Sequence, residues 1–345
     1  MNDFDLFYFL SALLLPCMLI ASGIFLFKYR IKSKILRITT WNIFILCTLL
    51  SFSYSIGESY FRFVVDTTDS FAISKQAERW MKRHYQLNNR NIRDNVDYED
   101  EKKKQFRISV LGDSFAQGYG VKNVDHRFSN ILRKKNRNWE VHNLSRTGFN
   151  TKAEFDIITY LNHVGYKTDL LLLTYCLNDI DQYMPMSKTI YKRIQKFNNH
   201  LSYLEQNSYF INHLTFRLFT YTDPDFLSYC DFMKEGYFNE AWNKQKRMME
   251  NVIYFTRKKN IKLAVVTFPF LQEEFEHYQF KEVHNKLSAF WNMHQIAHLD
   301  LIHAFKEKLG KDLVVNSFDA HPNELAHQMA ASEIEKFIKQ SLRNQ

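Results

Sequence analysis

The apolar residues of this chain form one pattern near the N-terminus and a different one in the remainder. Residues 7–27 and 38–56 are uncharged, predominantly apolar runs. At about 1.5 Å per residue, each run is long enough as a helix to cross a bilayer core of about 30 Å. Neither run has a polar face, which disfavours two buried core helices, and acidic Asp3 and Asp5 disfavour a cleaved signal peptide. The pattern predicts two transmembrane helices.

The segment between the two apolar runs carries only basic charges, on Lys28, Arg30, Lys32, Lys34 and Arg37. Because short cytoplasmic loops are enriched in lysine and arginine, this loop is predicted to be cytoplasmic. The N-terminus and everything after the second helix then lie outside the cytoplasm. We therefore predict a multi-pass cell-membrane protein with two spans and a periplasmic or extracellular domain.

The remainder of the chain alternates between strand-like and helix-like patterns. Buried strands are predicted at 106–111, 141–144, 170–175, 262–268 and 296–302. Helical spacing follows the first two strands, at 127–135 and 151–164, and recurs at 324–342. This alternation is typical of parallel βαβ units and predicts an α/β domain.

Three segments make up the predicted domain organisation. Residues 1–57 contain the two membrane helices and the basic loop, 58–105 form a connector, and 106–345 form the α/β domain. Within that domain, residues 181–257 are longer than a strand-to-strand crossover requires, so we predict a helical insertion. The insertion is interpreted either as a lid or acceptor platform over a site, or as an additional packing layer.

Charge and cysteine content exclude several classes of protein. The formal net charge of +9 is modest for 345 residues, and no interleaved basic and aromatic motif occurs, so no nucleic-acid partner is predicted. Four scattered cysteines do not make a disulfide framework. The histidines lack a zinc-binding spacing, so neither a metal nor another cofactor is predicted.

Glycine is scarce, with 9 residues in the chain, but it marks the ends of two predicted strands. Gly112-Asp113-Ser114 ends the first strand, and Gly148 follows the second. At such a corner, a serine can present its hydroxyl and its backbone N–H to a cleft above the strand ends. Asp113 and Ser114 are also good helix N-cap residues, so a plain helix start is the alternative interpretation.

A base and further hydrogen-bond donors for Ser114 occur later in the chain. Asp319 lies two residues before His321, which matches the acid that orients the histidine base of a Ser-His-Asp triad. Asn178 follows the third predicted strand, on the same rim as Gly148. The Ser114 N–H, the Gly148 N–H and the Asn178 amide are therefore candidates for an oxyanion hole. A turn that caps a helix is the alternative for Asn178.

Four short blocks resemble, in order and rough spacing, those of the SGNH hydrolases, also called GDSL esterases and lipases. The blocks are Gly112-Asp113-Ser114-Phe115, Gly148, Asn178-Asp179, and Asp319 with His321. The resemblance covers about residues 106–342 and implies a flavodoxin-like three-layer α/β/α fold with a parallel sheet. It also implies that Ser114 is the catalytic nucleophile, His321 the general base and Asp319 its orienter.

The same resemblance assigns Ser114, Gly148 and Asn178 to the oxyanion hole. The chain departs from the family pattern at two places. Cys176 stands where the family usually has a glycine two positions before the asparagine, and the last block is Asp-x-His instead of Asp-x-x-His. The second departure is similar to membrane-anchored and polysaccharide-modifying members, and the connector pattern Asn91-Ile92-Arg93-Asp94 is similar to membrane-anchored ones.

These features predict acyl transfer through an acyl-serine intermediate. The favoured hypothesis is a membrane-anchored, extracytoplasmic serine esterase or O-acyltransferase that acts on an acylated surface glycan. Its predicted partners are that glycan or another ester substrate, the lipid bilayer, and a membrane-bound O-acyltransferase. Two alternatives remain open: a non-catalytic glycan-binding or envelope-assembly module on the same fold, and a lipase or lysophospholipase.

Overall fold

The computed structural model describes residues 3–27, 31–310 and 312–343, which form two compact units. The first unit comprises Met1–Asp66, Ile73–Trp80 and Gln195–Asp223. The second unit comprises Thr67–Ala72, Met81–Ile194 and Pro224–Gln345. The domain boundaries expected from the sequence, after residues 57 and 105, stay predictions.

From the first strand onward, the α-helices of the described residues are interspersed with the strands. They are α1 (Asp3–Phe27), α2 (Lys34–Ser59), α3 (Lys75–His84), α4 (Ser114–Gln117), α5 (Phe128–Lys135), α6 (Thr151–His163), α7 (Pro185–His200), α8 (Tyr203–Asn207), α9 (Tyr209–Thr222), α10 (Pro224–Leu227), α11 (Tyr229–Gly236), α12 (Glu240–Lys258), α13 (Lys281–Met293), α14 (Ile302–Phe305) and α15 (Glu324–Arg343). The segment expected to be a helical insertion thus contains α7 to α12.

The two N-terminal helices, α1 and α2, belong to the first unit. The spans Leu6–Phe25 and Lys34–Val64 are long and apolar enough to cross a membrane. Only 22% of the first and 6% of the second is buried within the protein, whereas the core helix of a soluble protein is mostly buried. The second span continues beyond α2 as a π-helical turn, Tyr60–Val64. The two long apolar helices that the sequence predicted are therefore present.

A buried carboxylate ties the end of α2 to α9 within the first unit. Glu58 accepts hydrogen bonds from the Ser208 hydroxyl at 2.7 Å and from the Phe210 N–H at 3.0 Å. It also forms an ion pair with Arg62 at 2.6 Å. A carboxylate stabilises a helix N-terminus because the first N–H groups have no partner inside the helix. The charge at the end of this apolar helix therefore has a structural role.

The second unit is built around a five-stranded parallel sheet with the order β2-β1-β3-β4-β5. The strands are β1 (Phe106–Gly112), β2 (Trp139–Asn143), β3 (Leu170–Cys176), β4 (Lys262–Phe268) and β5 (Ala297–Asp300). The central strand β3 is buried along its whole length, as is typical of a parallel strand covered by helices on both faces. A separate antiparallel hairpin pairs β6 (Val314–Asn316) with β7 (Asp319–Pro322). The predicted α/β fold with a parallel sheet is confirmed.

The strand order determines where a site can form. The chain runs outward from β1 to β2, returns to β3 on the other side of β1, and continues outward through β4 to β5. Because parallel crossovers are right-handed, α5 and α6 lie on opposite faces of the sheet; α15 packs with α5, and α12 packs with α6. This is the flavodoxin-like order, in which ligands bind at the switch point between the first and third strands.

Candidate active site

Ser114 lies at the sharp corner between β1 and α4. Glycine is required just before it, because a Cβ atom on Gly112 would lie only 2.9 Å from the carbonyl oxygen of Thr174 in the neighbouring strand. Asp113 is the N-cap residue of α4, and its side chain accepts a hydrogen bond from the Phe115 N–H at 2.8 Å. The helix-start and nucleophile interpretations of this corner are compatible, since Asp113 supplies the cap and the Ser114 hydroxyl makes other contacts.

The β6–β7 hairpin brings His321 to Ser114. His321 Nε2 lies 2.8 Å from the Ser114 Oγ, and His321 Nδ1 lies 2.5 Å from Asp319 Oδ1. Asp319 and His321 both belong to β7, where residues two positions apart point to the same face. Because of this geometry, an Asp-x-His spacing is sufficient to place the Asp319 carboxylate against the His321 ring. The structure thus brings the three predicted catalytic residues into one hydrogen-bonded series.

Two aromatic rings and a carboxylate surround the imidazole of His321. The rings of Phe115 and Tyr119 lie 5.3 Å and 4.8 Å from it, measured between ring centroids. Burial alone lowers the pKa of His321, but the charge of Asp319 and its hydrogen bond outweigh burial, so the pKa is raised above its ordinary value. A carboxylate in this position favours the imidazolium, which is the form a histidine adopts after it takes up a proton.

Gly148 lies on the loop after β2. Its φ of +78° is in the left-handed region that favours glycine, and a Cβ atom there would meet no atom within 4 Å. The loop is held to α4 by Gln117, whose Oε1 accepts hydrogen bonds from the Thr147 N–H at 3.1 Å and the Tyr85 hydroxyl at 2.8 Å. Backbone conformation therefore selects glycine here, and the space beside it is open. Gln117 was not among the site residues predicted from the sequence.

Asn178 follows β3 and contacts Asp113 through its side chain. Burial raises the pKa of Asp113, and hydrogen bonds from the Phe115 N–H and the Asn178 side chain partly offset that effect. Because the amide nitrogen carries two N–H groups, one of them remains for a ligand. The contact with Asp113 thus orients the Asn178 side chain at the edge shared with Ser114.

Cys176, at the position where the family usually has glycine, does not distort the approach to Asn178. Its φ of −107° and ψ of 150° are extended backbone that any residue adopts. The side chain is fully buried, and burial raises the pKa of the thiol well above its ordinary value. A buried thiol of this kind is unreactive. Cys176 is therefore a core residue.

The connector contributes a buried charge cluster that supports the turn after α4. Arg93 donates to the Gly118 carbonyl oxygen at 2.5 Å. Its neighbour Asp94 forms ion pairs with Arg127 at 2.9 Å and Arg133 at 2.6 Å. Although burial raises the pKa of Asp94, the hydrogen bond from Arg133 and the charge of Arg127 hold it well below its usual range. The Asn91-Ile92-Arg93-Asp94 pattern thus has a structural role next to the site.

A cavity of about 380 Å³ opens above Ser114. Gly148, Asn178 and His321 line it together with Ser114, and Asp319 lies behind His321. The rest of the lining is mainly apolar and aromatic, and it includes Phe71, Phe115, Tyr191, Phe226, Leu227, Tyr229 and Phe270. Pockets for small ligands typically measure about 300–1,000 Å³. The predicted site residues therefore surround a cavity that is large enough for a substrate.

Residues 67–72 contact this site, although the sequence did not predict it. The Thr68 hydroxyl donates a hydrogen bond to Asp319, and the Ser70 hydroxyl accepts one from the Ala320 N–H at 3.0 Å. The only signal in the sequence is a short polar run shortly after the second apolar span. Nothing in that run points to residues near the other end of the chain.

Among the described residues, no group of three or more histidine, cysteine, aspartate or glutamate side chains is arranged to hold a metal ion. The expectation that the protein uses neither a metal nor another cofactor stays a prediction.

Comparison with known proteins gives distant structural likenesses. No protein-family model and no curated protein matches the chain. An esterase from Pseudoalteromonas sp., inhibited by monoethylphosphonate, is 13% identical with a TM-score of 0.43, over 69% of this chain and 100% of that one. A G-D-S-L-family lipolytic protein from Veillonella parvula is 16% identical with a TM-score of 0.37, over 66% and 95%. A catalytic mutant of an acetylxylan esterase from Geobacillus stearothermophilus is 10% identical with a TM-score of 0.43, over 68% and 94%.

Likenesses at these identities and TM-scores carry no functional weight by themselves. The strand order and the contact between Ser114 and His321 are properties of this chain and do not depend on these likenesses. Both in its parallel α/β fold and in its four sequence blocks, the chain resembles the SGNH hydrolases.

Proposed function

We propose that this protein is a serine esterase or O-acyltransferase that works through an acyl-serine intermediate. The observation that carries the proposal is the 2.8 Å contact between the Ser114 Oγ and His321 Nε2, in a series completed by Asp319. A serine hydroxyl is a weak nucleophile unless a base in hydrogen-bond contact removes its proton. The experiment that tests the proposal is labelling by a serine-reactive fluorophosphonate, compared between the wild type and Ser114→Ala.

The proposed reaction has two steps. First, the Ser114 Oγ attacks the ester carbonyl carbon while His321 takes the hydroxyl proton; the bond to the alcohol oxygen then breaks, and the leaving alcohol takes that proton. Second, His321 removes a proton from an acceptor hydroxyl, whose oxygen attacks the acyl carbonyl carbon; the bond to the Ser114 Oγ then breaks, and His321 gives the proton back to Ser114. Water as the acceptor yields a carboxylic acid, and a sugar hydroxyl yields a new ester. The identity of the acceptor therefore separates an esterase from an O-acyltransferase.

Three donors are proposed to hold the oxyanion that forms in each step. They are the Ser114 N–H, the Gly148 N–H and the Asn178 amide. The Ser114 N–H belongs to the first turn of α4, where N–H groups have no partner inside the helix. Donors of this kind stabilise the transition state more than the ground state because negative charge develops on the carbonyl oxygen.

Replacing Asn178 by alanine is expected to lower kcat by about 10²- to 10³-fold, the usual cost of losing one oxyanion donor. KM should change little, since the amide acts mainly on the transition state. Hydrolysis of p-nitrophenyl acetate and butyrate by purified full-length protein measures both constants. Asn150→Ala is the control, because Asn150 caps α6 through the Ala153 N–H and does not line the cavity. A kcat equal to that of the wild type would exclude Asn178 from the oxyanion hole.

We further propose that α1 and α2 anchor the protein in a membrane, with the catalytic unit outside the cytoplasm. The supporting observations are the two long apolar spans and the basic residues between them. An ester presented on the outer surface is then the natural substrate. Acylated surface glycan is the proposed substrate class, because the Asp-x-His block is similar to that of polysaccharide-modifying members.

A lipid ester is the second candidate substrate, and the cavity lining favours it. Phe226, Leu227 and Phe270 contribute apolar surface where a bound sugar would need hydrogen-bond partners for its hydroxyls. A hydrocarbon acyl chain suits such a lining better. With a glycan substrate, only the acyl group would enter the cavity, and the sugar would stay at its rim.

The dependence of the rate on acyl-chain length separates these two substrates. Each buried CH₂ group contributes about 0.8 kcal/mol, so an acyl chain that fills the cavity should raise kcat/KM by roughly four-fold per methylene. For a lipid ester, the expected result is an increase from p-nitrophenyl acetate through butyrate to hexanoate, until the cavity is full. The same series is extended to decanoate to find where the increase ends. A maximum at acetate would instead favour an acetylated glycan.

A non-catalytic glycan-binding or envelope-assembly module is the remaining alternative. Its support from the sequence was Cys176 and the long insertion. The extended backbone at Cys176 argues against the first of these, and the insertion contributes Phe226 and Leu227 to the cavity lining. Folded protein that does not react with a fluorophosphonate would favour the non-catalytic module.

A further inference from the structure

We propose that Thr68 is a positioning residue for the acid–base pair of this site, acting through its hydrogen bond to Asp319. The inference rests on the proposed function, because Asp319 matters for the rate only if His321 is a general base. Thr68 belongs to the 67–72 segment, which begins shortly after the second apolar span ends at Val64. The segment next to the proposed membrane anchor would therefore complete the catalytic machinery.

The two carboxylate oxygens of Asp319 have separate partners. Oδ1 lies 2.5 Å from His321 Nδ1 and accepts a further hydrogen bond from the His321 N–H at 3.1 Å. Oδ2 accepts the hydrogen bond from the Thr68 hydroxyl. Thr68 and Asp319 are both almost fully buried, at 2% and 1% exposure. Contacts on both oxygens prevent the carboxylate from rotating, so the imidazole receives a fixed orientation.

The 67–72 segment is itself held firmly against the β6–β7 hairpin. The Ser70 N–H donates to the Phe318 carbonyl oxygen at 3.0 Å, and the Ser70 hydroxyl accepts from the Ala320 N–H at 3.0 Å. The Asn316 side chain donates to the Thr68 carbonyl oxygen at 3.0 Å. These bonds hold the backbone at Thr68 and at Ser70. The Thr68 hydroxyl therefore contacts Asp319 from a segment that is held in place by other hydrogen bonds.

Gly120 permits this close approach. Its φ of +87° lies in the left-handed region, and a Cβ atom there would lie 2.4 Å from the Val315 side chain and 3.2 Å from the Thr68 Oγ1. A larger residue would push the hairpin or the 67–72 segment away. The glycine after the nucleophile helix thus leaves room for the hydroxyl that contacts the acid.

The effect of the Thr68 hydroxyl is testable with Thr68→Val, which keeps the shape of the side chain and removes the donor. Misplacement of a catalytic group by a fraction of an ångström to one ångström lowers rates by about 10- to 100-fold. We expect a loss of that size in kcat for p-nitrophenyl butyrate, with KM nearly unchanged. Thr68→Ser should restore most of the rate, because serine returns the hydroxyl. Rates are measured on full-length protein in detergent, per site titrated with a fluorophosphonate.

Thr67→Val is the matched control. The Thr67 hydroxyl accepts a hydrogen bond from Asn316 at 2.7 Å in the same segment, so its loss perturbs the segment without touching Asp319. If Thr67→Val and Thr68→Val lower kcat equally, or if Thr68→Val has the wild-type kcat, the inference is wrong.

Thr68→Ala replaces the valine variant if the latter does not fold. Ser114→Ala is assayed in parallel: if it retains full activity, the proposed function fails, and if it is inactive, the Thr68 result concerns Thr68 alone.

Discussion

Replacing Ser114 by alanine is expected to lower kcat for ester hydrolysis by about 10⁴- to 10⁶-fold, as in triad knockouts generally. The reason is that the Ser114 Oγ, 2.8 Å from His321 Nε2, is the atom proposed to form the acyl-enzyme bond. Without it, water must attack the ester directly, helped only by binding and by the oxyanion donors. Covalent labelling by a fluorophosphonate should disappear in the same variant.

Ser109→Ala is the matched control for this experiment. Ser109 is a buried serine of the same strand, β1, and its hydroxyl contacts the Thr168 hydroxyl at 2.9 Å, away from the carboxyl end of the strand. This variant should keep both its labelling and its kcat. Purified Ser114→Ala protein that turns over p-nitrophenyl esters at the wild-type rate would eliminate Ser114 as the nucleophile. Double replacement of Ser114 and His321 should cost no more than the serine change alone, since the residues act as a unit.

Replacing Asp319 by asparagine is expected to lower kcat by about 10⁴-fold while leaving the fold intact. An asparagine amide at this position can donate a hydrogen bond to His321 Nδ1, which puts the ring proton on Nε2. The imidazole then has no lone pair facing the Ser114 Oγ and cannot accept its proton. The loss should therefore appear mainly in kcat and in the rate of fluorophosphonate labelling.

The pH dependence of the residual activity provides a second readout for Asp319→Asn. The pKa of His321 is lowered by burial but raised overall, chiefly by the charge and hydrogen bond of Asp319. Because the base must be neutral, activity rises as pH increases through this pKa. Removing the negative charge lowers the pKa of His321, so the midpoint of the acid limb should move to lower pH. A midpoint that stays in place would contradict the assigned role of Asp319.

A second aspartate–histidine pair, which is largely buried, supplies the control for Asp319→Asn. Asp300 lies 2.8 Å from His284 Nδ1, in the same kind of contact, but His284 Nε2 lies 3.0 Å from the Tyr278 hydroxyl instead of a serine. Asp300→Asn should reduce stability without changing kcat per titrated site. A similar loss of kcat in both variants would indicate general disruption of buried ion pairs and not a specific role for Asp319.

The strands could be predicted from the sequence because buried parallel strands are short apolar runs with abrupt ends. The prediction for 262–268 matches β4, and that for 170–175 lacks only the last residue of β3. The expected strand at 296–302 was too long: β5 is Ala297–Asp300, and the chain after it turns into α14. The error arose because apolar residues continue into that helix, and composition alone does not mark the change.

The sequence by itself determined which residues stand at the strand ends, and hence the candidates Ser114, Gly148 and Asn178, because the end of an apolar run is a local property. Tertiary structure alone decided that Thr68 contacts Asp319, because 251 residues separate the two and only the packing of the hairpin joins them. It also decided that Cys176 adopts an extended backbone where glycine was expected. Local pattern specifies the elements and their ends, whereas contacts between distant segments depend on how the buried surfaces fit together.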